Sequence, residues 1–176
     1  MYQRITMDGV TNGLDLQAIL AHCIRCAKAV NYGQRIICHS WLPSFNIKNY
    51  SLQQPIAFIC NSSCHPQIIG HWVGLLVTKS RSLILCDGLN HVINDSAFMS
   101  SVRKFCIIND LKFVDIGIRS QSLNSFHCGI IAVFWVSKFV ELSPSKFQCM
   151  LRLLRRHSIQ SNEKFMIKYV KRHFKM

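Results

Sequence analysis

Four side chains of this sequence could together break an amide bond: the thiol of Cys128, the imidazole of His71, the carboxylate of Asp87 and the carboxamide of Gln121. The thiol stands at the mouth of "CGIIAVFWV", Cys128 to Val136, the longest strongly apolar run in the chain. A cysteine used only as a small hydrophobe would sit anywhere in such a run. This one occupies the first turn of the helix that the run predicts. Unpaired N–H groups and partial positive charge at a helix start favour the thiolate, which is the nucleophilic form. Gly129 beside it leaves room for a substrate backbone. His71 opens "HWVGLLVTK" and Asp87 closes "SLILCDG", two strand-like runs flanking the short connection "KSR". An antiparallel hairpin makes the start of one strand the neighbour of the end of the next, so this acid is brought to this base. A base oriented by an acid can take the thiol proton. The Gln121 N–H₂ and the Cys128 N–H are then the candidate donors to a developing oxyanion.

Each of these residues also has a plainer reading. Cys128 could be an inert buried thiol, the usual state of free cysteine. His71 could be a structural histidine. His127 is the other candidate base, but adjacency to Cys128 should point its side chain away from the thiol. Asp87 with Gly88 is a common turn pair, and Asp95 is the reserve acid. Gln121 could be an ordinary loop residue, and Trp72 ordinary core.

The elements that must position these groups follow from periodicity. Residues 14–30 have helical apolar spacing, and 31–54 read as irregular. Strands are predicted over 55–60, 71–79, 82–88 and 112–118, with helices over 96–109 and 128–141 and the loop 119–127 between strand and helix. "SPSKFQCMLRLLRR" (143–156) and "SNEKFMIKYVKRHF" (161–174) predict two basic amphipathic helices, the first opened by a Ser-Pro start signal. The reading is a single α+β domain, 1–176. A central mixed or antiparallel sheet packs on helices, and a buried central helix carries the nucleophile.

The chain of 176 residues is 49% hydrophobic, enough for one domain with a real core. Nine cysteines, an odd number, in a sequence without a secretory signal predict reduced thiols in an intracellular setting. No run approaches the roughly 20 apolar residues of a membrane span. Lys and Arg number 21 against 8 Asp and Glu, a formal charge of +13, and residues 141–176 alone hold nine basic residues and two acids. Such an excess predicts a polyanionic partner, nucleic acid first, met by the two C-terminal helices. The alternatives are a merely solvated basic face and a membrane-surface helix pair. Cys23-x-x-Cys26, with Cys38-His39 and Cys60-x-x-x-Cys64-His65, raises a zinc site, but the CxxC falls inside a predicted helix and no second CxxC follows. No metal is expected.

The order His71-Trp72, Asp87, Gln121, Cys128-Gly129, with the Gln seven residues before the Cys in "QSLNSFHCG", resembles the adenovirus-protease (adenain) family of cysteine endopeptidases, distant relatives of the SUMO-specific proteases. The segment "GHWVGLLVTKSRSLILCDGL" is similar to the family's His-Trp strand, turn and acid-bearing strand. The resemblance implies a papain-like arrangement in permuted His-Asp-Gln-Cys order. It also implies cleavage of viral precursor proteins at Gly-containing sites, in the virion and the host nucleus, by a monomer. Trp72 and Gly129 would then line the substrate cleft. Viral DNA and a short capsid-derived peptide would be activators, and Cys106 a candidate for tethering the peptide by a disulfide. A catalytically inactive nucleic-acid-binding virion protein and a deubiquitinase- or deSUMOylase-like isopeptidase are the competing expectations.

Overall fold

The structure is a computed structural model, described here for residues 36–48, 56–63 and 70–174. The predicted helix 14–30 and the residues Cys23, Cys26, Cys64 and His65 of the zinc reading lie outside the described residues.

Five strands form one mixed sheet in chain order: β1 (Ile36–Cys38), β2 (Ile56–Asn61), β3 (Trp72–Val77), β4 (Ser82–Cys86) and β5 (Lys112–Asp115). The inner pairs β2–β3 and β3–β4 are antiparallel, and the outer pairs β1–β2 and β4–β5 are parallel. Every residue of β2 and β3 is buried. They read as unbroken apolar runs because both sheet faces are covered. Alternate residues of β3 feed two separate cores: Trp72 and Leu76 on one face, Val73, Leu75 and Val77 on the other.

The second face is covered by helix α1 (Ser96–Asn109), the crossover between the parallel strands β4 and β5. Asp95 caps it by accepting from the N–H groups of Ala97 and Phe98, both at 3.0 Å, which ends its candidacy as reserve acid. The sequence predicts a helix over 96–109 between the strands 82–88 and 112–118, and α1 matches it. One helix intervenes, and it is what permits the parallel pair.

The first face carries three helices. Helix α2 (Cys128–Glu141) is buried at every position from Gly129 to Ser137, as its unbroken apolar sequence requires. Helices α3 (Pro144–Leu154) and α4 (Ile159–His173) pack beside it through Phe147, Leu151, Met166 and Val170. Pro144 opens α3 behind Ser143, as the Ser-Pro signal predicts. No helix among the described residues is long and apolar enough to cross a membrane.

Gly74 sets how closely α2 lies on the sheet. A Cβ there would meet Trp135 Cβ at 3.3 Å and Cys86 Cβ at 3.5 Å. Gly74→Val is therefore expected to destabilise the fold by about 1–3 kcal/mol, read by denaturant titration, because it overpacks the seam that seats α2. An unchanged midpoint would mean that the seam is looser than these distances indicate.

Candidate active site

Three of the four predicted residues converge where β3 begins, β4 ends and α2 starts. His71 precedes β3 and Asp87 follows β4, and the hairpin brings His71 Nε2 within 2.6 Å of Asp87 Oδ1. The turn between them closes through Thr78 and Arg81, with Arg81 in the left-handed region at φ 57°. Arg81 Nε also reaches the carbonyl of Asp110 at 3.0 Å, fastening the turn to the end of α1.

Asp87 is 2% exposed and is both the turn former and the partner of His71. Its Oδ1 accepts from His71 Nε2 and from the Leu89 N–H at 2.9 Å. Its Oδ2 accepts from the N–H groups of His91 at 2.6 Å and Val92 at 2.9 Å. Those four bonds occupy the roughly four lone-pair sites of a carboxylate. Burial works against the charge, but the bonds from His71 and the backbone outweigh it and hold the carboxyl down at about 2. His71, Asp87 and His91 place one ligand-type atom each within 4.8 Å of one another. With the carboxylate's lone pairs already taken by N–H donors, this is the geometry of a hydrogen-bonded cluster.

The imidazole is shared. Nε2 is committed to Asp87, and the Cys128 side chain is the second group that acts on the ring. Burial disfavours the imidazolium, yet the bonds to Asp87 and Cys128 prevail and raise its pKa from 6.5 to about 9. Cys128 is the first residue of α2 and is half-buried. Burial pushes its thiol up, and His71 with the backbone N–H groups of Trp72 and Gly129 pulls it further down, so the net shift is below the ordinary value. The raised imidazole pKa and the lowered thiol pKa both favour an imidazolium–thiolate pair, the arrangement that suits nucleophilic attack and proton return.

The other predicted residues stand differently. Gln121 is 1% exposed, and its Nε2 donates to the Ser125 carbonyl at 2.8 Å. One of its two N–H groups is thus spent inside the loop, and only the second is left for an oxyanion. Trp72 is 3% exposed and Gly129 is buried, so neither side of the expected cleft is lined by them. They reach the thiol through their backbone N–H groups instead. Cys106 is 7% exposed on the face of α1 that packs against the opposite side of the sheet from α2. Burial raises its thiol to about 11, and it would have to leave the core to form a tether. Among the described cysteines the exposed one is Cys149, on α3. His127 turns toward Ser125 Oγ at 3.0 Å and Glu163 Oε1 at 3.5 Å, as adjacency to Cys128 predicts.

Two residues near the site carry no signal in the sequence. His91 stacks edge-on to His71, with ring centroids 5.1 Å apart, and its Nδ1 lies 3.8 Å from Asp87 Oδ2. Glu163 on α4 accepts from Ser122 N–H at 3.2 Å and Ser122 Oγ at 2.7 Å. No protein-family model and no curated protein matches this chain.

Proposed function

We propose that this chain is a cysteine endopeptidase of the adenain type. The observation that carries this reading is one imidazole bonded at 2.6 Å to a buried, saturated carboxylate and coupled electrostatically to a thiol at a helix start. In the proposed reaction the Cys128 thiolate attacks a peptide carbonyl. The Cys128 N–H and the free N–H of Gln121 hold the oxyanion, and His71 gives its proton to the leaving amine. Water then hydrolyses the thioester, with His71 as the base, and Asp87 orients His71 throughout. In keeping with the family resemblance, viral precursor proteins cut at Gly-containing sites are the proposed substrates, in the virion and the nucleus.

The exposed basic residues of α3, α4 and the turn between them, among them Lys146, Arg152, Arg156, Lys164, Lys168 and Lys171, support DNA as a partner that stimulates cleavage. A capsid-derived peptide is the second proposed activator. The same basic face favours one rival reading, a nucleic-acid-binding protein without turnover.

The test is mass-spectrometric analysis of a peptide library with Gly at the scissile positions, incubated with the protein with and without DNA. Cleavage abolished by prior alkylation supports the endopeptidase, whereas DNA binding with no cleavage of any library member under either condition supports the rival. The pH profile has a defined sign. Activity needs the imidazolium, so the cleavage rate should fall as pH rises through about 9, where His71 loses its proton. A rate still climbing beyond that pH would remove the ion pair from the mechanism.

A further inference from the structure

Resting on the endopeptidase reading, we infer that Glu163 is a positioning residue: its carboxylate, on α4, grips through Ser122 the loop that carries Gln121 and delivers Cys128. Helix α4 is otherwise basic, and Glu163 is its single acid. Acids are scarce in this chain, eight in all. This one is buried on a helix whose neighbouring positions include exposed Lys164 and Lys168, and it is spent on a loop 41 residues away.

At the near end, Glu163 Oε2 accepts from both the N–H and the hydroxyl of Ser122, the residue after Gln121. At the far end, Oε1 lies 3.5 Å from Nδ1 of His127, the residue before Cys128, without a hydrogen bond to it, since that nitrogen is bonded to Ser125 Oγ. Between them the loop is held by its own polar bonds: Gln121 Nε2 to the Ser125 carbonyl, Ser125 N–H to the Ser122 carbonyl, and the His127 N–H to Ser125 Oγ.

Apolar packing does not perform this task. The two large apolar side chains of the loop, Leu123 and Phe126, are 75% and 70% exposed. A pocket of about 430 Å³, lined by Ser122, Asn124, Ser125, His127, Gln160 and Glu163 among others, lies where the loop meets α4. The loop is therefore fastened to the helix chiefly by the carboxylate. Charge-assisted bonds of this kind are roughly twice as strong as neutral ones. Helix α4 is also tied to the far end of α2, where Tyr169 Oη donates to Glu141 Oε1 at 2.7 Å. That second tie holds the helices together without touching the loop.

The clamp acts on acyl transfer, which needs an aligned oxyanion donor, and not on simple alkylation, which needs only the thiolate. Two reactions of the same thiol separate these. With p-nitrophenyl acetate the Cys128 sulfur gains the acetyl group as a thioester and p-nitrophenolate leaves. With iodoacetamide a C–S bond forms, iodide leaves and no oxyanion develops. Glu163→Gln and Glu163→Ala are expected to slow nitrophenolate release roughly tenfold to a hundredfold, while the alkylation rate of Cys128 changes less than about threefold. Ser122→Ala should give the same pattern with a smaller loss. Glu141→Gln, which loosens α4 away from the loop, should change neither rate.

Equal slowing of both reactions, or the same pattern in Glu141→Gln, would reduce Glu163 to a general structural role and overturn the inference. Wild-type acylation at both Glu163 variants would overturn it too. If the unmodified chain releases no nitrophenolate above a Cys128→Ala control, the endopeptidase reading fails first. Amide exchange across residues 122–127 then decides the clamp alone: faster exchange in Glu163→Gln supports it and unchanged exchange refutes it.

Discussion

Cys128→Ser and His71→Ala are each expected to lower peptide cleavage by roughly 10⁵- to 10⁶-fold, and the double variant to be no worse than either single one. The reason is that the two groups share a proton. The imidazolium favours the thiolate, and the thiolate, after Asp87, helps to hold the proton on His71. Removing either leaves a group without a reaction partner, so the second removal has little left to take. Serine keeps the shape at position 128 but offers an alcohol whose proton the same imidazole takes far less readily. The measurement is a kinetic cycle on one cleaved peptide, with circular dichroism to verify the fold. Full activity in His71→Ala would show that another group is the base, and additive losses would show two independent contributions.

Asp87→Asn is expected to cost both stability and activity, and the stability loss is the more diagnostic. The carboxylate accepts four hydrogen bonds, three of them from backbone N–H groups of the turn. An asparagine offers one oxygen and turns an N–H₂ toward donors that need acceptors. The unmet buried N–H groups make a loss of about 3–5 kcal/mol the expectation. The folded carboxyl sits at about 2 against an ordinary 3.8. Its stabilisation is therefore fully present above about pH 4 and disappears as pH falls through about 2. Denaturant titration of the two chains should show a gap that closes in acid. A gap independent of pH would mean that the charge on Asp87 is not what the turn binds. Cleavage should fall on the order of 10²- to 10⁴-fold, because His71 loses the partner that orients it.

How far the sequence could be read depended on distance along the chain. Helix α2 was legible to the residue, since the apolar run from Cys128 to Val136 leaves one way to be buried and Phe139 and Val140 continue it to Glu141. The His71–Asp87 pair was legible because a hairpin converts sequence symmetry into proximity. The burial of Cys106 could have been read from the spacing Phe98, Val102, Phe105, Cys106, Asn109, a single helical stripe. Strand β1 was not legible: three residues in a region of Gly, Pro and Asn become a strand only by pairing with β2. Trp72 stands beside the catalytic candidate in sequence, but the pleat turns its side chain under α2 and not into a cleft. Glu163 left no trace in the sequence, because its meaning comes from a loop on another element. Gln121 lies between these cases: its place beside the site follows from the loop, and its bond to Ser125 does not.

The most direct test of the central claim is iodoacetamide labelling of the native protein at pH 6–7, resolved by mass spectrometry for each cysteine, with and without DNA. The ion pair predicts that Cys128 is modified first and fast. The exposed Cys149 should follow slowly and the buried Cys38, Cys60, Cys86 and Cys106 last. Labelling of Cys128 no faster than Cys149, with DNA and without it, would contradict an activated thiolate and with it the proposed endopeptidase.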